Sequence, residues 1–577
     1  MIKETQKGMD SRDISALPVG SKTTRQYPSP SVLILFLPLL LSFISLAIQN
    51  WYQVFDDAFI SYRYAQNLAM GYGITWNPGQ TPTEGYTNFL LIIILAPFIK
   101  GGLDPLLVTR VLSFICVIGI SRILFTVARR QYDCSATAAF MIAALIFLVP
   151  VTEIQCIVGL ETVIYAFFLL ATFIVGITFI DCQQLKHSII FSCMLFLTML
   201  LRPEAALLYP IIFIAAVVTA IRNQTSLTSL LVGFLTLLTL GGIYLTWKYL
   251  HFGQLFPNPF YLKASGETLF SPKGIQSVKS FIKDNTLLMI LAFSSLFFGI
   301  FAERQVQPWN KIVALSGFAF VVVYCLFFTH IDTLMDTHGR FLYPLLPLII
   351  LLATPSLAKI LGFLEPVSIY RIPIFPAITV IFLLAFGSSN IIEINHNIKN
   401  LTPNDFMQTS QLLMPKEYRI SQALAHFPQI KEVRIAFGDS GVIPYFSGAI
   451  WLDMVGLNDG FISKMRDKNK LVDYFFNWSP DLVIHPGRAG RSWFQEGHGP
   501  LGDYLSWSND SRWDEYAYVG TSNIQGSSYD LQFFIRKSSR FRDSLEGFLK
   551  ANVVDGWYDP FPLPIGTYRP KEIQPMQ

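Results

Sequence analysis

The stretch VFDDAFISYRYAQNLAMGYGITWNPGQTPTEGYTNF, Val54–Phe89, follows directly on the first long apolar segment of the chain. It opens with two adjacent carboxylates, Asp56 and Asp57, at a place where charge is costly because a bilayer edge is close. Read as a helix from Asp56, it puts Ile60, Tyr64 and Leu68 on one face by i, i+4 spacing, and Asp56, Arg63 and Asn67 on another. The helix stops at MGYG (70–73), and WNPGQTPTEGYTN (76–88) is a turn-rich loop. An interfacial helix and a turn-rich loop between apolar segments fit the surface of a polytopic membrane protein.

Composition agrees. Of 577 residues, 52% are hydrophobic and only 14% charged, where a soluble enzyme carries roughly a quarter charged residues. The deficit is regional. From Ser31 to about Ile391, apolar runs alternate with short polar breaks, and about 20 apolar residues suffice for a membrane helix. A net charge of +4 is too small to argue for nucleic acid. The six cysteines (Cys116, Cys134, Cys156, Cys182, Cys193 and Cys325) lie in the membrane half and read as buried small hydrophobes. Residues 1–30 read as a disordered cytoplasmic tail, and Ser31–Gln49 as a retained anchor.

Lysine and arginine in short loops favour the cytoplasmic side. They gather at Lys22/Arg25, Arg129/Arg130, Lys186, Arg222, Arg304/Lys311 and Lys359/Arg371. With these inside, the expected helices are 31–49, 106–128, 135–150, 160–181, 187–202, 204–221, 227–249, 284–302, 311–329, 340–361 and 372–391, about eleven crossings. The N-terminus is then cytoplasmic and the C-terminus outside. Asn88–Ile99 is too short to span and reads as re-entrant or half-crossing. The division is a transmembrane domain at 31–391, with a first outer loop at 51–88, and a soluble extracytoplasmic domain at 392–577. On this topology the unusual polar stretches all face outward: Asp56–Asn88, Glu153–Glu161, Arg202–Glu204, His251–Asn285 and Asp332–Arg340.

Each stretch has a plain reading beside a chemical one. Asp56 and Asp57 fit a helix N-terminus, or a general base whose pKa burial has raised. Glu161 and the Arg202–Glu204 pair open apolar helices, yet charge at a membrane core usually lines a cavity. KYLHFGQLFPNPFYLK (248–263) holds His251, Asn258 and Lys263 among belt-like aromatics. DTLMDTHGRFLYPLLP (332–347) holds His338 and Arg340, and an arginine there suits a phosphate. A metal site from Asp332, Asp336 and His338 is the weaker reading of that stretch, since such spacing is common by chance. After residue 391, strand-like runs at 433–439, 449–456, 481–486, 516–520 and 531–536 alternate with helical stretches near 416–427 and 461–477, as in a small α/β layer. FGDSGVIPYFSG (437–448) reads as scaffold.

DDAFISYRYAQNLAMGYGITWNPGQTPTEGYTNFL resembles the first outer loop of type-C (GT-C) glycosyltransferases that use polyprenyl-phosphate sugars. Among these it resembles the mycobacterial terminal β-(1→2)-arabinofuranosyltransferase group and its bacterial relatives. GLET, LRPEAALL, HFGQLFPNPFYLK, HGRFLYPLLP and FGDSGVIPYFSG…VGLND continue the resemblance in order over most of residues 50–460. DTLMDTHGRFL departs from the acidic Gly-Asp pattern that other members carry before GRFL.

The expected fold is thus an all-α polytopic GT-C membrane domain with a C-terminal extracytoplasmic α/β domain. The resemblance implies a lipid-phosphate donor and a first-loop aspartate as base, matching Asp56 or Asp57. Arg63, Glu84, Tyr86, Asn88, Glu161, Arg202, Glu204, His251, Asn258, Lys263, His338 and Arg340 are the expected substrate-binding residues. The expected activity is an inverting transfer of a sugar, arabinofuranose or another pentose, on the outer face of the membrane. The expected partners are a polyprenyl-phosphate sugar donor, a cell-envelope glycan or glycolipid acceptor, and membrane lipid. The expected place is a bacterial inner membrane. No cofactor is required, and a divalent cation at the carboxylates stays open. The alternative is a transporter or flippase for a lipid-linked or anionic solute, against which stand the lack of a visible inverted repeat and the outward clustering of polar groups.

Overall fold

In the computed structural model the described residues are 41, 43–48, 50–51, 53–263, 270–297, 308–331, 333, 336–364, 368–369, 372–373, 414–488, 491–492, 510–522, 530–554, 556–557 and 569–570. The expected tail at 1–30, most of the first expected span, nearly all of the expected span at 372–391, the domain start at 392 and Asp332 lie outside them.

The first part is helical: α1 Asp56–Ala69, α2 Phe89–Lys100, α3 Pro105–Gln131, α4 Ala136–Leu148, α5 Pro150–Ile157, α6 Thr162–Cys182, α7 Leu185–Leu201, α8 Leu208–Arg222, α9 Thr228–Phe252, α10 Asn258–Lys263, α11 Pro272–Asp284, α12 Thr286–Phe297, α13 Pro308–Thr329 and α14 Leu346–Leu364. Among the described residues six helical segments are long and apolar enough to cross a membrane, or up to eight if each of two bent pairs is one span. The chain is a multi-pass membrane protein. The expected count of about eleven is met only to that extent, and the differences have local causes. The expected helix at 135–150 breaks at Val149, held extended before Pro150, so α4 and α5 meet at 59°. The expected helix at 284–302 is the second arm of a pair, α11 and α12, bent by 80°. The short apolar segment after Asn88 forms α2, whose Leu91, Ile92 and Leu95 are buried.

Close helix approach holds the bundle where lipid supplies no hydrophobic drive. Ser188 and Ser192 on α7 donate to the Ser229 and Gly233 carbonyls on α9 at 2.6 and 2.8 Å. A Cβ on Gly233 would lie 2.0 Å from the Ser188 Oγ, so only glycine permits the contact.

The C-terminal part holds α15 Met414–Ala425, β1 Arg434–Phe437, α16 Val442–Ser447, β2 Ile450–Asp453, α17 Lys468–Trp478, β3 Leu482–Arg488, β4 Tyr516–Ser522, β5 Asp530–Arg536 and α18 Arg542–Asn552. Strand β1 pairs in parallel with β2 and β3, while β5 pairs antiparallel with β3 and β4. All five strand-like runs of the sequence become strands. Ala436, Leu452, Val483 and Phe534 pack to one side with Leu471 and Phe475 of α17. Ile435, Phe437, Ile484 and Ile535 join the main core on the other, with Leu545 and Leu549 of α18.

Ligands of open α/β sheets usually bind outside the carboxyl ends of the parallel strands. Here that edge is occupied from within the chain. The turn after β1 carries Gly441 against Asp56, and the turn after β2 carries Asn458 against Gly85 and Tyr64. The sheet is therefore docked, by the edge at which such sheets usually hold ligands, onto the segment 56–88.

Candidate active site

Helix α1 begins where Phe55, extended and buried, donates its amide to the Val158 carbonyl at 3.0 Å. The next two residues then diverge. Asp57 faces a cavity of about 550 Å³, where its Oδ2 accepts from Arg340 Nη2 at 2.7 Å. Asp56 turns the other way, and its Oδ1 accepts the Val442 amide at 2.7 Å. Neither carboxylate is the N-cap of α1, which is Phe55 and makes no side-chain cap bond.

The polar end of the cavity is a chain of hydrogen bonds drawn from four segments. Ser61 Oγ donates to Asn88 Oδ1 at 2.9 Å, and Asn88 Nδ2 donates to Glu161 Oε2 at 2.8 Å. Arg202 donates through Nε to Glu161 at 2.8 Å and through Nη1 to Glu204 at 3.0 Å. The Phe341 ring lies between two guanidiniums, 5.2 Å from that of Arg202 and 4.9 Å from that of Arg340. Burial alone would raise the Glu161 carboxyl, but Arg202, by charge and hydrogen bond, holds it below the ordinary range with help from Asn88. Two buried polar atoms of lining residues, Arg340 Nε and the Tyr86 hydroxyl, have no hydrogen-bond partner among the described residues. Much of the remaining lining is apolar, with Phe256, Phe260, Phe327, Phe328 and Ile331, and the Phe328 ring packs 5.6 Å from that of Phe341.

The structure thus brings Tyr86, Asn88, Glu161, Arg202, Glu204 and Arg340 together with Asp57. The other expected binding residues do not line this cavity, and most are engaged in holding the loop. The Arg63 guanidinium is buried and donates to the carbonyls of Trp76, Pro444 and Ala449 and to Asn77 Oδ1, riveting α1 to the C-terminal part. Glu84 pairs with Lys248 of α9 at 2.9 Å; burial outweighs that cation and pushes its carboxyl up to about 7. His251 stacks on Trp247 and lies 3.2 Å from the Ile74 carbonyl. Asn258 Oδ1 accepts from Gln254 at 2.9 Å, and its backbone amide donates to the Glu84 carbonyl, while its buried Nδ2 has no partner among the described residues. The His338 carbonyl accepts weakly from Gln155 at 3.4 Å. The Lys263 side chain lies outside the described residues. Among the described residues no three His, Cys, Asp or Glu side chains are placed to hold a metal ion.

Sequence reasoning missed the apolar wall, because aromatic residues at a membrane exit look like an interfacial belt. It also missed the partner of Asp56. A Cβ on Gly441 would lie 2.2 Å from both the Asp56 backbone oxygen and its carboxyl carbon, so the strand-end turn can approach only as glycine. Asp439 shares a hydrogen bond with Asp56, and Glu417 of α15 is close enough to act on it electrostatically. Burial first, then Asp439 and Glu417, push the Asp56 carboxyl well above the ordinary range, against the Val442 amide. The sign of the consequence follows. A value raised by folding favours this docking fully below the unfolded carboxylate value near 4, and the benefit is lost as pH rises through the raised value. Hydrogen exchange at the Val442 amide, corrected for the intrinsic pH dependence, should therefore show falling protection as pH rises. In Asp439→Asn that decline should flatten; an unchanged slope would mean that the carboxylates do not share a proton.

A family described as a domain of unknown function, DUF8728, matches residues 408–534. No curated protein matches the chain. ArnT from Cupriavidus metallidurans, solved bound to undecaprenyl phosphate, is similar with TM-score 0.52 and 10% sequence identity, over 86% of this chain and 97% of that one. Its apo structure gives TM-score 0.51 and 10% identity over 86% and 98%. At that identity the likeness is one of fold: the helical membrane part and the docked C-terminal sheet together share the architecture of ArnT.

Proposed function

We propose that the protein is an inverting GT-C glycosyltransferase that moves a sugar from a polyprenyl-phosphate donor to a hydroxyl acceptor. One observation carries the reading. A single cavity pairs a carboxylate, Asp57, with an arginine, Arg340, and is otherwise lined largely by aromatic and apolar side chains. Such a cavity fits an amphiphile with a phosphate head. The fold likeness to ArnT, solved with undecaprenyl phosphate, supports the same ligand class.

Of the two aspartates, Asp57 is the better base because it lines the cavity while Asp56 is engaged by the Val442 amide. Asp57 takes the proton of the acceptor hydroxyl as its oxygen attacks the anomeric carbon. The bond from that carbon to the phosphate oxygen breaks on the opposite face, and the lipid phosphate leaves with the electron pair. Its charge is met by Arg340, whose Nε–H is unspent, with Arg202 and the Tyr86 hydroxyl nearby. Glu161 and Glu204 hold Arg202 in place. The donor sugar we favour is a pentose such as arabinofuranose, and the acceptor a cell-envelope glycan. The setting is the outer face of a bacterial inner membrane, with the N-terminus cytoplasmic.

The test supplies membranes carrying the protein with radiolabelled polyprenyl-phosphate pentoses and hexoses and follows label into glycan. Transfer from one donor names the substrate. Retention of all label on lipid across the panel, with folded protein, would sink the transferase reading and favour a lipid-linked-solute transporter.

A further inference from the structure

Helix α11 runs against the charge rule that organises the rest of the chain. Its sequence, PKGIQSVKSFIKD, carries three lysines against one acid in a segment that the proposed topology turns outward. Its residues divide cleanly. Gly274, Val278 and Phe281, spaced by four and three, pack toward the protein. A Cβ on Gly274 would lie 2.2 Å from the Phe328 carbonyl oxygen and 2.7 Å from that of Ile331. The Ser271 amide donates to the Thr329 carbonyl at 2.8 Å, and Ser277 is hydrogen-bonded to Thr333 at 2.8 Å. The segment so gripped, residues 327–331, supplies Phe327, Phe328, His330 and Ile331 to the apolar wall of the cavity. Helix α11 is therefore the outer brace of that wall.

The opposite faces have different chemistry. Ile282 is 46% exposed, next to Lys279 and Lys283, which are also exposed and follow one another at i, i+4. Beyond the 80° bend, α12 exposes an apolar face of Leu287, Ile290, Phe293 and Phe297. A helix set nearly perpendicular to an apolar, lipid-facing helix lies close to the membrane plane. An apolar edge flanked by lysines is the composition of helices that lie in a bilayer interface.

We propose that α11 is an interfacial helix that seats anionic phospholipid headgroups beside the apolar wall of the cavity, with Ile282 among the acyl chains and Lys279 and Lys283 on the lipid phosphates. The bulk phospholipid is the occupant, since Lys279 and Lys283 are not among the residues that line the cavity. The association braces the segment 327–331 in a bilayer rich in anionic lipid. It also explains why basic residues persist on this side of the membrane.

Native mass spectrometry of the full-length protein in detergent, titrated with phosphatidylglycerol or phosphatidylcholine, reads this without any donor and so stands apart from the transferase reading. Each lysine near an anionic surface is worth roughly a fivefold preference, so the double variant K279Q/K283Q should lose on the order of tenfold or more in apparent affinity for the first phosphatidylglycerol bound. Affinity for phosphatidylcholine should not change, and K279R/K283R should keep the preference. Both lysines are exposed, so an unchanged melting temperature confirms the fold. Equal binding of the two lipids by wild type, or an undiminished preference in K279Q/K283Q, overturns the proposal.

Discussion

Asp57→Asn is expected to stay folded and to lose transfer by about 10²–10⁴-fold, the contribution of a positioned general base. The loss should fall on kcat and leave the KM for the lipid donor close to wild type. Asparagine removes the proton acceptor but can still accept from Arg340, which remains beside the cavity to meet the phosphate. A KM-dominated loss would instead mean that Asp57 serves only to orient Arg340 for donor binding. Asp56→Asn supplies the contrast. Its side-chain oxygen can still accept the Val442 amide, and the substitution relieves repulsion with Asp439 and Glu417. That variant should transfer at close to the wild-type rate and melt higher than wild type at pH 8. Should Asp56→Asn be inactive and folded while Asp57→Asn transfers normally, the base has been assigned to the wrong acid.

The contrast also marks where the sequence stops being readable. Two adjacent acids look alike in one dimension, and local chemistry permits either as cap or base. They separate only in the fold, because a helix turns successive side chains by about 100°: Asp57 meets the cavity and Asp56 meets a turn 386 residues away in sequence. That Glu161, Arg202, Glu204 and Arg340 line a cavity was legible, since charge at the starts of apolar helices is costly beside lipid and usually faces a cavity. The roles of Arg63, Glu84, His251 and Asn258 were not. A buried polar side chain can satisfy itself on backbone carbonyls as well as on a ligand, and nothing local distinguishes the two. Arg63 is the plainest case, with three carbonyls and one amide oxygen taking four of its five N–H donors. The C-terminal strands were legible as strands, yet their docking edge was hidden in Gly441, a residue whose meaning lies entirely in what approaches it. The broken spans were half visible: Pro150 signals the first, whereas the 80° turn between α11 and α12 falls at Asn285, with no proline to announce it.

Arg202→Gln is the second large effect, and it is expected in stability as well as in transfer. Glu161 and Glu204 both rest on this guanidinium, and their side chains are only 4% and 9% exposed. Removing one partner of a buried ion pair costs about 3–5 kcal/mol, because the remaining charge keeps its desolvation cost without its compensation. The pH dependence should change sign at the same time. In the wild type Glu161 is held below its ordinary value, so its contribution is present above about pH 4.5 and is lost as pH falls through the lowered value. Without Arg202, burial is left as the dominant influence and raises the carboxyl, so stability is then highest at low pH and declines as pH rises. Melting of the purified protein in detergent from pH 4 to pH 8 separates the cases. Glu161→Gln in the Arg202→Gln background should recover part of the loss at pH 8, where the orphaned acid is most costly, and little at pH 4. A parallel downward shift of the whole curve, with no change of slope and no recovery in the double variant, would mean that Arg202 contributes packing on Phe341 and that the acids beside it are not held by its charge.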